Sequence, residues 1–235
     1  MDIEQLKLEL DEYGFVILEN QLPADEIDRM ATRLVEIMNQ QPDADRLDQG
    51  LQALLDYDDI FIPLVTNPAF LELARHTLGE GFRLAEVGAR WLKPGAPAQS
   101  LHADVPLGRF PQPLPDVCFV LNSIWMLTDF TREIGATLLM PFSHHTRRRP
   151  RPGVAYNHLV AAEAPRGSIV IFHGGLWHCG GANTTRDQHR LGVSVPYFAA
   201  WMDPNAGNWQ TMPRRVYDRL PPLVQRLVAH KVVND

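Results

Sequence analysis

Cysteine is nearly absent from this chain. Cys118 and Cys179 are the only two in 235 residues, too few for the disulfide framework of a small secreted scaffold or for a four-thiolate zinc site. A reducing, cytoplasmic compartment suits that scarcity. Long apolar runs are lacking too: none approaches the roughly 20 residues a bilayer-crossing helix needs. The opening MDIEQLKLEL, interspersed with acids, does not read as a signal peptide, so a soluble protein with no membrane partner is expected. Positive charge is also in deficit. The 22 Lys and Arg against 28 Asp and Glu give a net charge of −6, with a pI near 5.8. Such a molecule as a whole repels phosphate backbones and anionic membrane surfaces, and nucleic acid is not an expected partner.

What is present fits one globular unit. A hydrophobic content of 45% with 21% charged residues is ordinary for a soluble domain with a sizeable core, and no internal repeat or linker is visible. GFVIL at 14–18 reads as a strand. Pro23 and Asp25 open an amphipathic helix with Ile27, Met30, Leu34 and Ile37 on one face. A second helix is expected over 45–55, and Asn67-Pro68 starts a third that carries Phe70, Leu71, Ala74 and Leu78 and stops at Gly79. From Phe82 the pattern changes to short apolar runs between prolines and glycines: RLAEVGARWL, VCFVLNSIWML, GATLLM, GSIVIF and LGVSVPYFAAW, which suit an antiparallel sheet protein. A closing helix spans about 213–230, with a break at Pro221-Pro222. The expected fold is α+β with a mainly β core: one domain over 1–235, with residues 1–80 a mainly helical flank, 81–202 strands rolled into a jelly roll, and 203–235 a C-terminal helix.

The chemistry begins at His102-Ala103-Asp104, after the stretch KPGAPAQS. Residues two apart on an extended backbone point to the same side, so an imidazole and a carboxylate converge. With nine His and seventeen Asp in the chain, about 0.7 such tripeptides arise by chance, and a third partner is needed. His178 supplies it. It follows GSIVIF and HGGLW, where glycines let the backbone approach another group closely. Two histidines and one carboxylate leave three coordination positions open, which suits Fe(II) holding an oxo-acid in two and O2 in the third. Arg190 starts the apolar run LGVSVPYF, where an inward guanidinium is costly unless it holds a fixed anion. The C5 carboxylate of 2-oxoglutarate is such an anion, and a bidentate pair with it would aim the keto-acid end at the metal.

These residues resemble the phytanoyl-CoA dioxygenase-like family of Fe(II)/2-oxoglutarate oxygenases. The match comprises Gln99, His102 and Asp104, then Gly-Ala-Thr at 135–137, Ser143-His144, His178, Asn183 and Arg190, in family order, together with GFVIL and NPAFLELARHTLG. The resemblance implies a cupin-like double-stranded β-helix in which His102, Asp104 and His178 hold iron. It also implies that Arg190 grips 2-oxoglutarate and that Gln99 and Thr137 contact it. Two positions depart from the pattern: Ile134 stands where the family has Asn, and Phe142 where it has the Gly of Pro-Gly-Ser-His. Both bear on loop shape and not on the metal. Halogenating relatives replace the carboxylate ligand with a small residue, so Asp104 favours hydroxylation. The expected reaction oxidises a small-molecule substrate while 2-oxoglutarate becomes succinate and CO2.

Plainer readings accompany each feature. His102 and Asp104 could be a hydrogen-bonded pair on a solvated strand, which His178 and Arg190 disfavour. His173 reads as a core or ligand-supporting histidine, and His144 and His145 as loop residues. Cys179 should point away from the metal. Trp125 divides evenly between pocket lining and core filling, while Trp91, Trp177 and Trp201 lean to the core. Arg147, Arg148, Arg149 and Arg151 read as a solvated loop before they read as an anion site. Two alternatives stay open for the whole: a cupin-type dioxygenase or isomerase without 2-oxoglutarate, and a non-catalytic ligand-binding roll.

Overall fold

The computed structural model describes residues 2–104, 111–202 and 211–234. Asp2 accepts the Glu4 N–H at 3.0 Å and opens helix α1 (Ile3–Tyr13), which the sequence pattern did not mark. Strand β1 (Phe15–Leu18) and helix α2 (Ala24–Asn39) follow, the latter burying Ile27, Met30, Leu34 and Ile37 as its spacing predicts. Next come strand β2 (Asp48–Leu51), the short helices α3 (Leu54–Tyr57) and α4 (Ile62–Thr66), and α5 (Pro68–Leu78). Asn67 caps α5 by accepting the Phe70 N–H at 3.0 Å. The strands then run β3 (Arg83–Leu84), β4 (Gly88–Leu92), β5 (Val120–Met126), β6 (Thr137–Leu139), β7 (Val160–Ala161), β8 (Ile169–His173), β9 (His178–Gly180), β10 (Arg190–Ser194) and β11 (Tyr197–Phe198). After them, β12 (Met212–Pro213) and β13 (Val232–Val233) bracket helices α6 (Arg214–Arg219) and α7 (Pro222–Val228). The expected break at Pro221-Pro222 separates those two helices. Residues 203–210, part of the expected C-terminal element, lie outside the described residues.

The helix expected over 45–55 is not formed. Residues 48–51 instead pair antiparallel with β4, Asp48 opposite Leu92 and Gly50 opposite Arg90. Gln49 is fully buried and donates to the Met38 carbonyl at 2.8 Å. An edge pairing supplied by a distant strand outweighs a weak local helical pattern that already contains Gly50.

Two antiparallel sheets organise the molecule. The larger has the order β1-β8-β5-β10-β4-β2, with β11 joining β5 to β3; the smaller is β7-β6-β9. Strands β1 and β2, from the first third of the chain, thus belong to the large sheet. Alternation divides the large sheet's residues between two cores. Leu121, Trp125, Ile169, Ile171, Leu191 and Val193 pack into the cluster that includes the helices. Met126, Val170 and Phe172 face the other way and join Ala136, Leu139 and Ala162 at the small sheet. The second face, between the sheets, is where the polar site lies. No helix among the described residues is long and apolar enough to cross a membrane.

Candidate metal centre

The segment carrying His102 and Asp104 is laid against β9 by its own backbone. Gln99 N–H donates to the Gly180 carbonyl at 2.9 Å, His102 and His178 exchange backbone hydrogen bonds of 2.9 and 2.8 Å, and Asp104 N–H donates to the Gly174 carbonyl at 2.8 Å. Ligand atoms of His102, Asp104 and His178 consequently lie within 4.8 Å of one another, the one such group found among the described residues. His102 Nε2 stands 3.5 Å from Asp104 Oδ1, and His178 Nε2 stands 3.4 Å from Oδ2.

The outer nitrogens decide which face each imidazole presents. His102 Nδ1 donates to the Ser100 carbonyl at 2.8 Å and His178 Nδ1 to the Leu176 carbonyl at 3.0 Å. A carbonyl oxygen only accepts, so each Nδ1 carries its hydrogen and both Nε2 atoms point to the carboxylate. Burial opposes ionisation of Asp104, yet the neighbouring His178, the hydrogen bonds from both imidazoles and the Asn122 amide hold its pKa well below the usual carboxylate range. His102 is raised, first by its hydrogen bond to Asp104 and against the desolvation that lowers it. Positive charge is favoured between these groups, and a divalent cation would compete there with a proton.

A cavity of about 150 Å³ holds all six residues singled out in the sequence: Gln99, His102, Asp104, Thr137, His178 and Arg190. Arg190 is 3% exposed, and burial brings its pKa down to about 10, leaving it cationic at neutral pH. Its Nη2 donates to Thr137 Oγ1 at 3.3 Å, and the guanidinium lies 4.5 Å from the Phe130 ring centre. Its Nε is buried with no partner, and no carboxylate pairs with it among the described residues. Gln99 Oε1 accepts the Gly180 N–H at 2.8 Å. Asn183 is structural: it donates to the Gln188 carbonyl at 2.7 Å and accepts from Thr185 Oγ1 at 2.6 Å, which closes the loop before β10.

Sequence reasoning missed Arg90, Asn122 and Ser194. All three line this cavity and also a larger one of about 680 Å³ beside it, bounded further by Leu51, Glu86 and Val120. The available signal was an amide inside the apolar run VCFVLNSIWML, since a polar residue on a buried strand needs a partner. Arg90 forms a bidentate pair with Asp48, 2.6 and 2.5 Å.

The remaining candidates fall elsewhere. Trp125 is fully buried and donates its indole N–H to the Leu64 carbonyl at 3.0 Å, so it fills the core. Trp91 and Trp177 are buried as well, and Trp201 is 61% exposed. His173 is half-buried beside His144, its Nδ1 accepting the Gly175 N–H at 2.9 Å. His144 and His145 sit in the 3-10 turn Ser143–Thr146, each contacting a carbonyl at the end of α1, Asp11 and Glu12, at 3.1 Å. Arg147, Arg148, Arg149 and Arg151 line neither site cavity. Cys179 is not part of the ligand group.

Comparison with known proteins places the chain. Residues 10–191 match the family described as phytanoyl-CoA dioxygenase (PhyH). The chain is 35% identical over 178 residues to the dioxygenase af480 of Aspergillus fumigatus, a match covering 75% of this chain and 57% of that protein. It is 31% identical over 176 residues to the Fe(II)/2-oxoglutarate-dependent dioxygenase nvfF of Aspergillus novofumigatus, covering 71% and 56%. The matched stretch thus spans little more than half the length of either relative. HygX from Streptomyces hygroscopicus, solved with nickel and 2-oxoglutarate bound, shares the fold with a TM-score of 0.70 over 91% of this chain and 90% of that one, at 15% identity. A further HygX structure also holds hygromycin B. The chain belongs to the phytanoyl-CoA dioxygenase family of Fe(II)/2-oxoglutarate-dependent oxygenases.

Proposed function

We propose that this protein is an Fe(II)- and 2-oxoglutarate-dependent dioxygenase that hydroxylates a small organic molecule. In this reading one domain wraps the site, the two sheets are the walls of a jelly roll of the double-stranded β-helix type, and two free thiols suit a cytoplasmic setting. His102, Asp104 and His178 hold the iron through the two Nε2 atoms and the carboxylate, a donor set that fits ferrous iron and leaves positions for other ligands. Bound there, iron supplies the activation of O2 that is coupled to conversion of 2-oxoglutarate into succinate and CO2.

The observation that carries the reading is Arg190. A guanidinium removed from water with an unpartnered Nε is unfavourable unless an anion completes it, and it shares a cavity of about 150 Å³ with the metal group. Arg190 binds the C5 carboxylate of 2-oxoglutarate, Thr137 Oγ1 steadies the guanidinium, and Gln99 borders the same carboxylate's path to the metal. Phe130 under Arg190 and Phe172 on the cavity wall keep water from the charge. The adjoining cavity of about 680 Å³, which Asp104 and Asn122 help to line, receives the substrate. Anaerobic protein given ferrous iron and 2-oxoglutarate should develop a visible charge-transfer band, and turnover of a substrate panel should release succinate with a product heavier by one oxygen. A folded protein that gives no band overturns the reading. Oxidised product without succinate would instead assign Arg190 to the substrate's own carboxylate.

A further inference from the structure

Strand β5 lines both cavities and carries one buried amide in a mainly apolar run. Asn122 is 8% exposed, and each polar atom of its side chain is used. Nδ2 donates to Asp104 Oδ2. Oδ1 accepts the Ser123 backbone N–H at 2.8 Å and the Ser194 hydroxyl at 3.0 Å. The orientation of the amide follows from chemistry: a backbone N–H can only donate and an ionised carboxylate can only accept, so the oxygen faces Ser123 and the NH2 faces Asp104. Ser194 lies on β10, four residues beyond Arg190 and on the same face of the strand, since side chains alternate.

We propose that Asn122 is a positioning residue for the metal. By donating to Oδ2 it makes the two oxygens of Asp104 inequivalent, so that the carboxylate presents Oδ1 to the ion, and Ser194 locks the amide in that orientation. A carboxylate with both oxygens at liberty can chelate a divalent ion through both. Chelation would fill one of the three positions that an oxo-acid and O2 require. The relay Ser194 to Asn122 to Asp104 therefore protects the open coordination number, and it does so from the wall shared by both cavities. The inference rests on the reading of Asp104 as an iron ligand.

Co(II) titration of the full-length, metal-stripped chain tests it, because the visible bands of Co(II) report coordination number and the titration gives affinity. Asn122→Leu removes donor and acceptor together; Asn122→Ser shortens the side chain out of reach of Asp104 while keeping a small polar residue on the strand, in case the leucine variant does not fold. Either folded variant should bind Co(II) about ten- to a hundredfold more weakly, the loss usual when a group that orients a metal ligand is removed. Its bands should weaken as coordination number rises. Ser194→Ala should shift the bands in the same direction with a smaller loss of affinity. Wild-type affinity and spectrum in a folded Asn122 variant overturn the inference and leave the iron reading intact. Failure of the unaltered chain to bind Co(II), or undiminished binding by His178→Ala, overturns the iron reading itself. A structural role for Asn122 alone would lower thermal stability without moving the Co(II) bands, and that outcome also overturns the proposal.

Discussion

On the proposed function Arg190 is unfavourable for the fold and necessary for the ligand. A cation held among Phe130, Thr137 and Gly192 lowers stability until a carboxylate arrives. Replacing it with a flexible apolar residue should separate the two effects. Arg190→Met is expected to leave the ligand-free protein as stable or more stable in thermal denaturation, and to weaken 2-oxoglutarate binding about a hundredfold, as loss of charge-assisted hydrogen bonds implies. Binding is read from the anaerobic charge-transfer titration. Phe142 is the second residue whose setting is unusual. It adopts φ 65° and ψ −4°, a left-handed conformation, at the place where the family pattern has glycine. Its ring is 47% exposed and packs edge-on against Tyr13 with centroids 5.3 Å apart, so a modest aromatic contact accompanies a strained backbone. Phe142→Gly and Phe142→Ala lose the same ring, yet only glycine relieves the backbone. The glycine variant should be the more stable of the two by about 1 kcal/mol in denaturant unfolding.

Elements carry the site through their hydrogen-bond registers. The stretch after β8 matters most, because the Gly174 carbonyl receives the Asp104 N–H at 2.8 Å while Gly174 N–H donates to the Val120 carbonyl at 2.7 Å. A methyl group at position 174 would meet that Val120 carbonyl oxygen at 2.6 Å, and backbone cannot step aside as a side chain can. Gly174→Ala is expected to cost about 1–3 kcal/mol of stability, the range for overpacking, and to weaken Co(II) binding by displacing Asp104. Normal metal affinity in a folded Gly174→Ala variant would show that Asp104 does not depend on this contact. Gly135 plays a comparable part at the smaller sheet: with φ 90° it brings its Cα so close that a Cβ would lie 2.7 Å from the Gly181 carbonyl oxygen, which explains the glycine of the Gly-Ala-Thr run.

At the scale of the whole molecule, ligand and proton linkage set stability. On the proposed function iron and 2-oxoglutarate bind the folded chain in preference to the unfolded one, so ligand at a hundred times its Kd should add about 2.7 kcal/mol. For a protein of this length that raises Tm by about 5–10 °C, measurable by anaerobic calorimetry and absent in His178→Ala. Acid should act the other way through His173. Burial, with His144 and His145 alongside, lowers its pKa from 6.5 to about 3. Between those values the unfolded chain binds a proton that the native state does not, so stability falls as pH falls through the window. His173→Asn should flatten that decline in denaturant unfolding series run at neutral and mildly acid pH; an unchanged slope would remove His173 as its source.

The sequence alone offered the candidate donor set and the order of most of the elements. His102 and Asp104 were legible from their two-residue spacing, His178 from the apolar strand and glycines before it, and Arg190 as a cation that is costly in an apolar strand unless it holds an anion, and the helices α2 and α5 and most strands followed from apolar periodicity, a local property of consecutive residues. Tertiary structure decided the rest. It turned residues 48–51 into a strand by giving them β4 as a partner. It sent Trp125 to the helical side of the large sheet rather than the pocket, and it brought Asn122 and Ser194, on separate strands, to one carboxylate. Those outcomes depend on which strands lie side by side and in what register. Pairing of that kind joins residues far apart in the chain, and local alternation says which face a side chain takes but not what it will meet there.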